Sequence, residues 1–189
     1  MCGKEFLELL MENPVVAAVK NDDGLDQCLC SECRVVFVLY GTVLTIGEIV
    51  NRLKEAGKTV LVHVDLIDGL AIRDAAVDFI ARTTRTDGVL STKASLIRHA
   101  KLLGLLTVQR FFLLDSIALY NIEKQMPLED ADAMEILPGV MPKIIRKLTL
   151  ATNKPIISGG LISDKEDIIN ALEAGALAIS STRKDIWFM

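Results

Sequence analysis

The chain has 189 residues, of which 51% are hydrophobic and only 5% aromatic, and its net charge is −4. This size and composition favour one α/β domain over residues 1–189, with strands that are buried on both faces. The acidic balance argues against broad nucleic-acid binding, and the longest uncharged run, Val35 to Gly47, is too short for a membrane span.

Short apolar runs alternate with amphipathic segments along the whole chain. Eight of these runs are predicted to be strands, because they are short and rich in β-branched residues. The eight are Pro14–Val19, Val35–Gly41, Thr59–Asp65, Gly88–Thr92, Leu106–Leu113, Met134–Gly139, Pro155–Gly160 and Ala176–Ser181.

Helical patterns occupy the intervals between the strands. The clearest are Ile46–Ala56, Ala94–Leu103, Val140–Leu148 and a helix that runs from Ser163 to Gly175. Eight strand–helix units predict a compact TIM-like (β/α)8 barrel. The alternative is an open doubly wound sheet, which the lack of a G-x-G-x-x-G motif after the first strand makes less favourable. Only residues 183–189 follow the last strand, so we expect a vestigial final helix.

The four cysteines, Cys2, Cys28, Cys30 and Cys33, do not predict a metal or disulfide site. Their spacing lacks the paired C-x2-C pattern of zinc sites, and a chain of this size and class needs no disulfide framework. We interpret them as ordinary helix cysteines and predict no metal. The N-terminus also lacks the order of a secretory signal, so we expect a cytoplasmic protein.

The last two predicted strands end in residues with very small side chains. Ser158, Gly159 and Gly160 end the seventh strand, and Ser180, Ser181 and Thr182 end the eighth. Exposed backbone N–H groups at such ends can converge on an anion, and the loops after strands 7 and 8 of a barrel are the usual phosphate position. These six residues therefore predict a phosphate site, although the glycines could simply permit tight backbone geometry.

Two polar side chains and a buried charge pair are predicted at the ends of the middle strands. His63 and Asp65 are two residues apart, which predicts that both lie on one face of the third strand. Arg110 lies among apolar neighbours and therefore needs a buried partner. That partner is Glu135 on the adjacent strand, a ligand phosphate, or both.

Lys93 and Lys143 lie where helices are predicted to begin. The helix dipole disfavours a cation at this end, so each lysine indicates an anionic partner. Surface position at the start of a helix is the simpler explanation for both.

Five longer segments resemble the glycerol-3-phosphate-responsive antiterminators, which regulate glycerol-uptake operons. The segments are His63–Leu70, Ser91–Lys93, Gln109–Ser116, Glu135–Lys143 and Pro155–Ile162. The resemblance implies a barrel that binds glycerol 3-phosphate without a cofactor or catalysis. It also implies that the loaded protein acts on the leader of a messenger RNA, so that transcription continues past a terminator.

The resemblance also implies roles for the predicted site residues. The glycine and serine loops would hold the phosphate, and Lys93, Arg110 or Lys143 would neutralise it. His63, Asp65 and Glu135 would bind the two hydroxyl groups. Candidate RNA contacts are Arg82 with Arg85, Arg98 with Lys101, and Lys143 with Arg146 and Lys147, although solvated helix faces explain each group equally well.

Two other functions are open from the sequence. One is a phosphosugar isomerase, epimerase or aldolase, with Lys93 as a Schiff-base lysine and Asp65 or Glu135 as a base. The other is a metabolite sensor that acts through protein partners, which the acidic composition suits. The barrel face that lacks a full last helix is a possible interface of a homo-oligomer.

Overall fold

The computed structural model describes residues 2–126 and 130–189. Eight parallel strands form a closed barrel in chain order, in which the eighth pairs with the first. The strands are Val15–Val19 (β1), Val35–Val38 (β2), Thr59–His63 (β3), Gly88–Ser91 (β4), Leu106–Phe112 (β5), Ala133–Leu137 (β6), Ile156–Gly159 (β7) and Ala178–Ser181 (β8). The predicted (β/α)8 barrel is confirmed, and the open sheet is wrong.

One helix precedes the first strand, and seven others connect consecutive strands. They are Gly3–Glu12 (α1), Asp22–Cys30 (α2), Ile46–Glu55 (α3), Asp74–Thr83 (α4), Ala94–Leu102 (α5), Ser116–Gln125 (α6), Pro142–Ala151 (α7) and Lys165–Glu173 (α8). No helix in the described ranges is long and apolar enough to cross a membrane.

A short 3₁₀ helix, Lys184–Phe188, replaces the helix after β8, so the predicted vestigial last helix is confirmed. It packs against β1, α2 and β8. Trp187 is buried there, and its indole Nε1 donates a hydrogen bond to the Ser181 carbonyl over 2.8 Å. This segment covers the side of the barrel where a homo-oligomer interface was predicted, and that interface stays a prediction.

Several predicted boundaries are wrong, for local backbone reasons. β2 ends at Val38, three residues before Gly41, whose φ of 117° suits a glycine turn. β3 ends at His63, because residues Val64–Leu66 form a 3₁₀ turn. α7 begins at Pro142, two residues later than predicted, because proline lacks the N–H group that a preceding turn would need.

Helix α1, which is not among the predicted elements, closes the amino-terminal end of the barrel. Its Phe6 and Leu10 are fully buried and pack in one cluster with inward-facing residues of the strands. The prediction that all four cysteines lie in helices is correct for two of them. Cys28 and Cys30 lie in α2, whereas Cys2 precedes α1 and Cys33 lies between α2 and β2.

The core has two layers, one inside the barrel and one between the strands and helices. Inward-facing residues such as Phe37, Leu61 and Val108 fill the interior, and the alternate residues of the same strands pack against the helices. Near the carboxyl ends of the strands, the inward positions change from apolar to polar. The polar side chains that could bind a ligand therefore lie at the mouth of the barrel, where the strands end.

Candidate functional site

A pocket of about 360 Å³ opens at the carboxyl ends of β5, β6 and β8 and at the loop after β7. This volume suits a small molecule. Half of the twelve predicted site residues line it, namely Arg110, Glu135, Gly160, Ser180, Ser181 and Thr182. The predicted loops after strands 7 and 8 therefore do meet at one cavity.

A buried charge network forms the floor of this pocket. Glu135 is fully buried and accepts two hydrogen bonds, one with each carboxylate oxygen. Arg110 Nε donates to Glu135 Oε2 over 2.5 Å, and Ser180 Oγ donates to Oε1 over 2.5 Å. The predicted pairing of Arg110 with Glu135 is present, and Ser180 extends it from β5 and β6 across to β8.

This network leaves one part of Arg110 available to a ligand. Only Nε is engaged, and neither terminal nitrogen has a hydrogen-bond partner within the described ranges. A guanidinium presents its donors in a planar fork that matches two oxygens of a phosphate. Because Glu135 fixes the Nε edge, the opposite edge of the guanidinium is oriented before any anion arrives.

Gly159 makes room for the network. A Cβ atom at this position would lie 2.5 Å from Ser180 Oγ and 2.7 Å from Glu135 Oε1, so any larger residue would displace the pair. Gly159 is therefore needed for space beside the network, whereas the predicted tight backbone geometry applies to Gly160, whose φ is 72°. An added ligand role for the Gly159 backbone stays a prediction.

The loop after β7 holds a strained residue against the pocket. Gly160 and Leu161 both have positive φ, 72° and 63°, and both line the cavity. Positive φ costs a leucine about 1–3 kcal/mol, and such strain concentrates at ligand-binding loops. Sequence reasoning missed Leu161, because a leucine gives no signal for this conformation.

The serines of the two loops do not act alike. Along β7 and β8 the residues alternate, so Ser180 faces the interior while Ser158 and Ser181 face the helices. Ser181 Oγ donates to the Ile162 carbonyl over 3.0 Å, and Ser158 Oγ is buried without a partner among the described residues. Neither outward hydroxyl points to the pocket, so a phosphate role for these two serines would rest on their backbone.

His63 lies inside the barrel as a neutral side chain. It is 2% exposed, and its Nδ1 has no hydrogen-bond partner in the described parts of the chain. Burial lowers the pKa of His63 from its ordinary value of 6.5 to about 4, and the charge of Arg110 adds to the effect. A neutral imidazole with an uncommitted nitrogen can bind a hydroxyl group.

Asp65 does not share a strand face with His63, so that prediction is wrong. It lies in the 3₁₀ turn after β3, and its carboxylate accepts hydrogen bonds from Ser91 Oγ at 2.5 Å and from Thr92 N at 2.8 Å. Burial alone would raise the pKa of Asp65, but these hydrogen bonds together lower it. Asp65 therefore joins the ends of β3 and β4.

The two predicted lysines lie outside the pocket lining, and an arginine lies inside it. Lys93 directly precedes α5 and Lys143 is the second residue of α7, and both are exposed. Arg183 lines the pocket and pairs with Asp185 over 2.6 Å. The sequence signal for Arg183 was its position directly after Thr182.

The family model described as glycerol-3-phosphate responsive antiterminator matches residues 15–187. The chain belongs to this family. YgcP, an uncharacterized protein of Escherichia coli strain K12, is 42% identical over 182 residues, covering 96% of this chain and 95% of YgcP. The resemblance drawn from the five sequence segments is thereby confirmed.

Solved structures agree with this assignment. The glycerol uptake operon antiterminator regulatory protein of Listeria monocytogenes str. 4b F2365 has a TM-score of 0.88 at 30% identity, covering 93% of this chain and 95% of its own. A glycerol uptake operon antiterminator-related protein of Thermotoga maritima MSB8 has a TM-score of 0.82 at 31% identity, covering 93% and 98%. Barrel enzymes with the same architecture are 12% to 17% identical, which shows the fold alone.

Proposed function

We propose that the protein senses glycerol 3-phosphate in the mouth pocket and, once loaded, binds the leader mRNA of glycerol-uptake genes so that transcription passes a terminator. Membership of the antiterminator family supports this proposal. The observation that carries it is the Arg110 fork, which Glu135 holds by one nitrogen while both terminal nitrogens remain available.

In this proposal different residues bind the phosphate and the hydroxyl groups of the ligand. The phosphate binds the terminal nitrogens of Arg110 and the backbone around Gly160 and Thr182, which line the same cavity. Arg183 supplies a second positive charge at the pocket edge. His63 is buried and does not line this cavity, so the predicted contact of His63 with a hydroxyl group requires a movement of the strand ends.

The arrangement of ionisable groups favours sensing over catalysis. Glu135 is the only carboxylate among the described residues that line the pocket, and two donors already occupy it. A Schiff-base lysine needs a desolvated amine, whereas Lys93 is exposed outside this cavity. The described residues that line this pocket therefore give the enzyme alternative neither an uncommitted carboxylate base nor a lysine.

Calorimetry with glycerol 3-phosphate, glycerol and inorganic phosphate tests the ligand half. Each charge-assisted hydrogen bond to a phosphate contributes roughly 1.5–3 kcal/mol, so we expect glycerol 3-phosphate to bind at least about tenfold more tightly than glycerol. Equal affinities for the two would contradict the proposal. Phosphate alone should bind more weakly than glycerol 3-phosphate, since it lacks the hydroxyl contacts.

Fluorescence anisotropy with labelled leader RNA tests the RNA half. We expect glycerol 3-phosphate to strengthen binding of the leader, and added salt to weaken it. A scrambled RNA of equal length and composition is the control. Ligand binding without any ligand-dependent RNA binding would instead favour a sensor that acts through protein partners.

A further inference from the structure

The rim of the barrel mouth differs in charge from one sector to the next. Helices α2 to α8 all begin at this end of the barrel. The first turns of α2, α3, α4 and α8 each contain an acidic residue, which compensates the positive end of the helix dipole. The first turns of α5, α6 and α7 contain none.

Two lysines increase the positive charge of this sector. Lys93 and Lys143 stand at the starts of α5 and α7, and neither ammonium group has an ion pair within the described ranges. Two carboxylates of the neighbouring loops are instead held by hydrogen bonds: Asp115 caps α6 through the Ala118 N–H at 2.8 Å, and Asp65 is bound by the end of β4. The cations are therefore available to an external anion.

The same sector exposes large apolar side chains. Phe112 is 49% exposed, Leu114 83%, Ile117 69% and Tyr120 55%. Beside them, a second pocket of about 310 Å³ lies between the starts of α6 and α7, with Leu113, Leu119, Met141 and Ile144 in its wall. Several large apolar side chains exposed on neighbouring elements are typical of a surface that binds a partner.

We propose that single-stranded leader RNA binds this sector, with unpaired bases on its apolar surface and backbone phosphates at the two lysines. We call it the α5–α7 rim, defined by Lys93, Phe112, Leu114, Ile117, Tyr120 and Lys143. The inference rests on the proposed function. The two lysines can bind the charged backbone of a single strand, and the exposed aromatic rings can stack on its unpaired bases.

The charge of the rim favours RNA over a second copy of the chain. A two-fold contact through this surface would place the same positive sector on both sides of the interface, where like charges oppose association. The phosphate backbone of RNA supplies the opposite charge.

Two backbone hydrogen bonds join the ligand pocket to the α5–α7 rim. The Leu113 N–H donates to the Leu137 carbonyl over 2.7 Å, which ties the end of β5 to the end of β6. The Gly139 N–H donates to the Gly160 carbonyl over 3.0 Å, which ties the segment before α7 to the strained pocket loop. Ligand contacts at Arg110 or Gly160 thus act on the strand ends that carry the rim.

A pair of matched double variants tests the charge of the rim. Lys93→Glu with Lys143→Glu reverses two charges at the mouth, and Lys4→Glu with Arg34→Glu reverses two exposed charges at the amino-terminal end of the barrel, where no RNA contact is predicted. Both variants change the net charge equally. At saturating glycerol 3-phosphate, we expect the rim variant alone to lose at least about tenfold in leader affinity, and its salt slope to fall by about one per lysine.

A second matched pair tests base stacking. Phe112→Ala removes an exposed ring from the rim, and Phe188→Ala removes a similarly exposed ring from the last 3₁₀ helix. We expect Phe112→Ala to weaken leader binding by roughly five- to hundredfold, which is the range for loss of one stacked base. Phe188→Ala should bind the leader like the unmodified protein.

The outcomes separate the rim from the proposed function. If the unmodified protein binds no leader RNA, the RNA half of the proposed function fails. If it binds RNA and the rim variants bind equally well, only the rim assignment is overturned. Loss of glycerol 3-phosphate affinity in the Lys93 and Lys143 variant would make these lysines ligand residues, and a changed oligomeric state would make the rim a self-interface. Either result would also overturn the assignment.

Discussion

Arg110 has a structural contact through one nitrogen, and the proposed function gives its other two nitrogens a binding task. Its Nε compensates the buried charge of Glu135, and its terminal nitrogens face a cavity. Removal of one partner from a buried pair leaves an uncompensated charge, whereas replacement of both by apolar residues is often nearly neutral. The two tasks can therefore be separated by mutation.

We predict that Arg110→Leu lowers the free energy of unfolding by about 3–5 kcal/mol, because Glu135 then lacks its counter-charge. The double variant Arg110→Leu with Glu135→Leu should recover most of this loss. Neither variant should bind glycerol 3-phosphate, since both lack the fork. Urea denaturation and calorimetry measure the two effects. A stable double variant that binds the ligand normally would show that Arg110 is only structural.

The buried His63 predicts a pH dependence of stability. Its pKa is about 4 in the folded protein and 6.5 ordinarily, so the unfolded chain takes up the proton first as pH falls. The contribution of His63 to the free energy of unfolding is therefore greatest above pH 6.5. It falls as the pH is lowered towards 4, by at most about 3 kcal/mol. Urea denaturation across this range should show the decline, and the His63→Gln variant should show a smaller one. Parallel curves would contradict the low pKa.

At the scale of elements, the sequence predicts the barrel well because each strand–helix unit has its own local signal. All eight strands begin within two residues of their predicted starts, since short runs rich in β-branched residues that alternate with amphipathic segments favour buried parallel strands. Helix α1 was missed because it precedes the first strand and no repeat indicates it. Its burial depends on the barrel interior that Phe6 and Leu10 close, which is a tertiary effect.

The sequence predicts where the candidate site lies in the barrel better than it predicts which way each side chain points. Six of the predicted residues meet at one cavity, because a barrel brings its strand ends together regardless of detail. The direction of each side chain depends on where a strand ends, and an error of one residue changes its face. Asp65 was misplaced for this reason, and Leu161 was missed because its positive φ contradicts its residue type.

At the scale of the whole molecule, the proposed ligand pocket and the α5–α7 rim share β5 and β6. Arg110 and Phe112 belong to one strand, and Glu135 lies on the strand whose following loop leads to Lys143. The hydrogen bond from Gly139 to Gly160 connects this loop to the pocket. The proposed sensor would need no domain movement, because both proposed binding surfaces are built from adjacent strand ends.

Reciprocal binding is the prediction that belongs to this scale. If glycerol 3-phosphate strengthens leader binding by some factor, then leader RNA must strengthen glycerol 3-phosphate binding by the same factor, and about 5- to 150-fold is the usual range. Calorimetry with and without leader RNA, and anisotropy with and without ligand, should therefore give equal ratios. The double variant Arg110→Leu with Glu135→Leu should keep the ligand-free RNA affinity and lose the enhancement. If the affinity of the unmodified protein for each ligand is the same with and without the other ligand, the two surfaces are not coupled. Neither ligand would then favour the conformation that the other one binds.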